Sequence, residues 1–165
     1  MKTLIVYDTK HGATEEVARR IAGAIRERGA EAELLDLRTK GAEKTSLAGY
    51  SAVALGGPFY MGRWSKRAEA FAAAREEELA AKSFALFSLV TNEKLGAAAA
   101  KAALPPSLAA KALSAHFGGR VDYPKLGGFE RFIVRMVGGK TESISTLDLE
   151  AAAAFGAALA KGSER

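Results

Sequence analysis

The 165-residue chain contains no cysteine. That absence excludes disulfides, thiolate metal sites and cysteine nucleophiles together, and it suits a reducing compartment. Histidine is scarce as well. His11 and His116 are the whole supply, too few for a multi-histidine metal centre, so no metal is expected. No apolar run approaches the roughly 18 residues that a membrane-spanning helix needs. The opening "MKTLIVYDTK" has one lysine, then a short apolar run closed by an acid. It is unlike a secretory leader, and a cytoplasmic location is expected. Two nucleotide motifs are also missing: there is no G-x-G-x-x-G, and the opening loop lacks the second glycine followed by Lys and Ser or Thr that a P-loop needs. The formal net charge is +5 and the pI about 9.5. No dense basic run with interleaved aromatics accompanies that charge, so no nucleic-acid partner is expected. The basic balance remains open to solvated helix faces, an anionic lipid surface or an anionic small molecule.

What is present is a regular alternation. Hydrophobic residues make up 48% of the chain, enough for a core, and the length suits one domain, residues 1–161, with a polar tail at 162–165. "TLIVY" at Thr3–Tyr7 is a continuous apolar run, as expected of a strand buried on both faces. Val17, Ile21, Ala24 and Ile25 then fall on one helical face, with Glu15 and Glu16 in the first turn and Gly29 as a stop. Further strands are expected at Glu31–Leu37, Ser51–Gly57 and Ser83–Val90. A helix is expected over Ser65–Ala81, and another through "NEKLGAAAAKAAL", stopped by Pro105 and Pro106. The alanine-rich "LAAKALSAHFGG" has no decisive period, and a fifth strand is placed near Leu113–Phe117 because the alternation requires one. "TLDLEAAAAFGAALA" closes the chain as a helix. Strands alternating with helices imply an α/β fold, a doubly wound five-stranded parallel sheet of order 2-1-3-4-5 with helices on both faces. Ligands of such sheets bind beyond the carboxyl ends of the strands.

The first of those ends is "YDTKHGAT". A strand leads straight into a helix whose first N–H groups have no internal partner and carry partial positive charge. Gly12 allows close backbone approach, Thr9 and Thr14 supply hydroxyls, and the amides of Lys10, His11, Gly12, Ala13 and Thr14 can line an anion site. The alternative is a tight turn with Thr14 as N-cap. "TKHGAT" resembles the flavodoxin phosphate loop, threonine-x-threonine-glycine-x-threonine, with His11 in place of the middle threonine and an added cation at Lys10. The resemblance implies that the loop holds the phosphate of FMN. An imidazole N–H of His11 would then stand in for the lost hydroxyl.

Two further loops suit the rest of a flavin. "GGPFYMGRW" at Gly56–Trp64 frees the backbone at Gly56 and Gly57, stiffens it at Pro58 and brings Phe59, Tyr60 and Trp64 within six positions. An isoalloxazine ring needs flat apolar walls of this kind. Tyr60 is expected on the flavin, whereas Phe59 and Trp64 also suit a core. In "SLVTNE", Ser88, Thr91, Asn92 and the amides around Leu89 and Val90 can meet the pyrimidine edge, and Thr91 or Asn92 can also cap the next helix.

The tail narrows the resemblance. Gly118, Gly119 and Tyr123, then Phe129–Phe132, then Gly138, Gly139 and Thr141 resemble the pattern of the flavodoxin-like, quinone-linked protoporphyrinogen IX dehydrogenases. Membership would imply FMN as cofactor, Gly118 and Gly119 near it, protoporphyrinogen IX or a related porphyrinogen as electron donor, and a quinone as acceptor. The flavin would carry the redox chemistry, with no catalytic side chain. A flavodoxin-type carrier without its own substrate is the other reading. The segment speaks for itself too. Phe129, Phe132, Ile133, Met136 and Val137 share a helical face, and Gly118–Lys140 holds five basic residues against two acids. Such a segment suits peripheral contact with an anionic membrane through Phe129–Val137, steering of porphyrin carboxylates, or packing on the domain edge. His116 is expected to be a satisfied structural histidine.

Overall fold

The computed structural model describes residues 2–60, 62–90, 96–138 and 143–162. Five parallel strands form the centre: β1 (Lys2–Tyr7), β2 (Glu31–Asp36), β3 (Ala52–Pro58), β4 (Ser83–Leu89) and β5 (Leu113–His116). Their order is β2-β1-β3-β4-β5, as the alternation predicts. In the observed register Ile5 stands beside the half-buried Leu34 and the buried Ala54, and Leu55 beside Leu86.

Both faces of the sheet are covered, which is why its central strands β1, β3 and β4 read as largely apolar runs. On one face Leu4, Val6, Val53, Leu55, Phe84 and Leu86 meet α2 (Lys66–Ala74), α3 (Glu76–Ala80), α4 (Gly96–Ala102) and α5 (Pro106–Lys111). On the other, Ile5, Tyr7, Ala54, Ala85 and Phe87 meet α1 (Ala13–Arg26) and α7 (Leu149–Gly162). A Cβ on Gly56 would lie 2.0 Å from the Phe87 ring, so that glycine makes room for the core. Likewise a Cβ on Gly156 would stand 2.5 Å from the Ile21 carbonyl, and glycine there lets α7 lie close on α1.

Two expectations are corrected. The single helix over Ser65–Ala81 is broken at Arg75 (φ −120°, ψ 22°), whose guanidinium donates to the carbonyls of Glu43 at 2.9 Å and Thr45 at 3.0 Å. The three acids that follow suit the start of α3. Pro105 and Pro106 do more than stop a helix. Pro106 opens α5, where the missing N–H costs nothing and the fixed φ is preorganised.

Between β5 and α7 the chain makes an excursion from the sheet. A short antiparallel ribbon, β6 (Arg120–Val121) with β7 (Ile144–Ser145), forms its base, and α6 (Gly128–Gly138) lies within it. The base is fastened to the sheet. Gly119 accepts from the Thr146 amide at 2.8 Å, Phe117 accepts from the Asp148 amide at 3.1 Å, and Gly118 accepts from the Val90 amide at 2.8 Å.

Candidate functional site

β1 ends at Tyr7 and α1 begins at Ala13, so five residues carry the chain from sheet to helix. Gly12 is the N-cap, in the left-handed region at φ 89°, and Thr14 lies inside the first turn instead of capping it. The Gly12 amide donates to Thr9 Oγ1 at 3.0 Å. The amides of Lys10, His11, Ala13 and Thr14 have no partner among the described residues. They stand at the positive end of a 14-residue helix. Cations surround the loop. Arg38 donates to the Thr9 carbonyl at 2.9 Å, and Arg120 Nη2 lies 3.9 Å from where a Cβ on Gly12 would stand. Glu16 and Asp122 hold the Arg120 guanidinium in place. Asp8 is buried beneath, one carboxylate oxygen accepting from Ser65 Oγ at 2.7 Å and the other without a partner among the described residues.

The second loop leaves β3 at Gly57 and Pro58. Phe59 is half-buried against the core, and its amide donates to Leu89 at 2.7 Å. Tyr60 and Arg63 exchange backbone hydrogen bonds around a tight turn, with Gly62 at φ 76°. That turn lifts Tyr60 out, 44% exposed, with Lys10 Nζ 5.1 Å from its ring centre. Trp64 turns inward, 2% exposed, and donates to the Gly57 carbonyl at 3.2 Å, so it belongs to the core.

At the third loop Ser88 and Leu89 are buried at the end of β4, and the Ser88 hydroxyl has no partner among the described residues. Val90 is half-buried and tied to Gly118. Thr91 and Asn92 lie outside the described residues, as do Gly139 and Thr141 of the tail pattern. Gly118 has φ 68°, and the Gly119 amide donates to Thr146 Oγ1 at 3.1 Å. His116 bridges the Ser88 carbonyl and the Gly118 amide at 3.1 and 3.3 Å, a satisfied structural histidine.

One group comes from far along the chain. Glu130 of α6 is buried against the first two loops: Oε1 pairs with Lys10 Nζ, accepts from Tyr60 Oη at 3.1 Å, and lies 3.6 Å from His11 Nε2. Its Oε2 accepts from the Gly127 amide at 2.9 Å. Glu130 stands three residues after Gly127, so the same carboxylate closes a capping box at the start of α6. Burial pushes the carboxyl up, but the hydrogen bonds from Lys10, the Gly127 amide and Tyr60 outweigh it, and the pKa falls from 4.5 to about 2. A lowered pKa means that the ionised form holds the contact. The Glu130 contacts are therefore expected to be complete above pH 4.5 and to weaken as pH falls from there towards about 2. A carboxyl-carbon NMR titration of Glu130 checks this, and an ordinary midpoint near 4.5 would refute it. Burial, followed by the bond to Glu130, raises the Tyr60 phenol in turn.

A protein-family model, described as a flavodoxin domain, matches residues 4–146. The chain belongs to the flavodoxin domain family. No curated protein sequence matches it significantly. Among solved structures, oxidised flavodoxin 1 from Bacillus cereus superposes with a TM-score of 0.63 at 21% identity, over 98% of both chains. A short-chain flavodoxin associated with a bacterial microcompartment gives 0.59 at 16% identity, over 99% of both. Rubredoxin:oxygen oxidoreductase from Desulfovibrio gigas gives 0.64 at 15% identity, over 99% of this chain and 37% of that one. These likenesses are likenesses of fold.

The cofactor of this flavodoxin domain is FMN, and the role is electron transfer. The residues present fit it. Four amides without a partner among the described residues and the hydroxyl-bearing Thr9 and Thr14 suit the phosphate, and Gly12 opens the loop to it. Tyr60 supplies a projecting aromatic face. Sequence reasoning missed Asp8, Arg38, Arg120 and Glu130 as neighbours of the loop. Glu130 left one signal, being an acid off the apolar face of its helix, but nothing local says that it crosses to Lys10.

Proposed function

We propose that this flavodoxin domain is an oxidoreductase with a substrate of its own. In this reading it oxidises protoporphyrinogen IX, or a related reduced substrate, and passes the electrons to a quinone. Removal of six hydrogens from one porphyrinogen reduces three quinones to quinols. FMN supplies the electron relay when bound. The observation that supports this reading is the excursion, which sets α6 and Glu130 beside both the phosphate loop and Tyr60.

The same helix supports contact with an anionic membrane, where quinones reside. Phe129, Phe132 and Met136 are 72%, 58% and 73% exposed, with Arg131 and Arg135 exposed among them. No helix among the described residues is long and apolar enough to cross a membrane. The test is anaerobic incubation of the FMN-loaded protein with protoporphyrinogen and a menaquinone analogue. Porphyrin fluorescence should rise with enzyme concentration, and a rate equal to the blank would refute the activity. Co-sedimentation with anionic vesicles, lost in Phe132→Asp, tests the contact.

A flavodoxin-type carrier is the second reading, favoured by the end-to-end match with Bacillus cereus flavodoxin 1. Two widely separated one-electron potentials, with no turnover of any porphyrinogen, would decide for it.

A further inference from the structure

The helix α6 is amphipathic, yet its apolar residues are not what hold it. Among its described side chains only Glu130 is buried, at 8% exposure, and Phe129, Phe132 and Met136 stand in solvent. The one deeply placed group is a carboxylate, and its partners Lys10, His11 and Tyr60 belong to the two loops that receive the flavin. Lys10 and His11 lie inside the phosphate loop itself.

We propose that Glu130 is an internal counter-anion of the phosphate loop, and that the FMN phosphate competes with it for the loop's positive potential. Without flavin, the Glu130 carboxylate neutralises Lys10 and moors α6 over the site. A phosphate on the amides of Lys10, His11, Ala13 and Thr14 brings a dianion next to a buried carboxylate. Like charges in a poorly solvated place repel strongly. Lys10 and His11 face the same Oε1 atom and cannot serve both anions undiminished. Arg120 and Arg38 are engaged with Glu16, Asp122 and the Thr9 carbonyl, so they do not relieve Glu130. Phosphate binding therefore expels Glu130. With the only buried one of its described side chains gone, α6 is held through the ends of the excursion, and its apolar face becomes free to move. FMN loading thus sets the freedom of α6.

The test uses the full chain stripped of flavin. Affinities for FMN and riboflavin are measured by quenching of flavin fluorescence, in wild type and in Glu130→Gln. Glutamine keeps the capping box and the shape but removes the charge. FMN should bind Glu130→Gln at least about tenfold tighter, a gain of the size expected when one close like charge is removed. Riboflavin, which lacks the phosphate, should bind both proteins alike. Equal gains for both flavins, or unchanged or weaker FMN binding, overturn the proposal. A second measurement needs no variant. Trypsin cleavage after Arg131 and Arg135 of the wild type should accelerate when FMN is added and not when riboflavin is added. Protection by FMN, or no change, refutes release of the helix. Neither readout depends on the identity of the electron donor, so failure of the proposed activity would leave this inference standing, and the reverse.

Discussion

Gly118→Ala is expected to destabilise the protein by about 3–5 kcal/mol, among the larger effects a single methyl can have. A Cβ at this position would stand 1.8 Å from the Thr146 carbonyl oxygen and 2.6 Å from its carbon. Backbone, not a flexible side chain, is in the way, so either the ribbon base or the end of β5 must shift. The backbone angle adds to the cost, because φ 68° is a left-handed conformation that alanine resists. The consequences reach the site. The Gly118 carbonyl accepts from Val90, and the Gly119 amide and carbonyl are bound by Thr146, so a shift here displaces the third loop and the excursion together. Urea denaturation measures the loss, and FMN retention on gel filtration measures the damage to the site. A variant within about 1 kcal/mol of wild type would show that the base of the excursion is not built this way.

Gly12→Val should act on affinity more than on folding. Its Cβ would meet nothing closer than Arg120 Nη2 at 3.9 Å, so space is not the obstacle. The obstacle is φ 89°, which a β-branched residue adopts only at a cost of about 1–3 kcal/mol. The strain is relieved by turning the peptide, and the amides around it then no longer converge on the phosphate. Two misdirected charge-assisted hydrogen bonds, at about 1.5–3 kcal/mol each, weaken FMN roughly a hundredfold or more. Riboflavin makes no phosphate contact and should lose less than about threefold. Fluorescence titration of both flavins decides the matter. Parallel losses would mean that the phosphate is held elsewhere.

The legibility of this chain varied with the range of the interactions involved. β1 was readable because Leu4, Ile5, Val6 and Tyr7 are buried on alternate faces of one sheet, and a strand covered on both sides shows in any short window. The turn from β1 into α1 was readable for the same reason: Gly12 caps the helix and Thr9 Oγ1 accepts from its amide, all within a few residues. The break at Arg75 was not, because its cause is a guanidinium reaching Glu43 and Thr45 some thirty residues earlier. Trp64 shared its loop with Tyr60 and could have faced either way. The indole is taken inward by a bond to Gly57 and packing on the sheet, while Tyr60 is lifted out by the turn at Gly62.

The sequence by itself determined the five-stranded parallel sheet, the cofactor and the glycine-bearing turn that joins β1 to α1. Those depend on periodicity and on backbone groups close together along the chain. Only the tertiary structure decided where α6 lies and what holds it. Its pattern left membrane contact, steering of carboxylates and packing on the domain edge all open, and among its described side chains the buried one is Glu130, set against Lys10 across 120 positions of chain. Amphipathicity records which residues share a side of a helix. Which side is anchored depends on the charges that the fold brings opposite it, and a linear sequence does not display them.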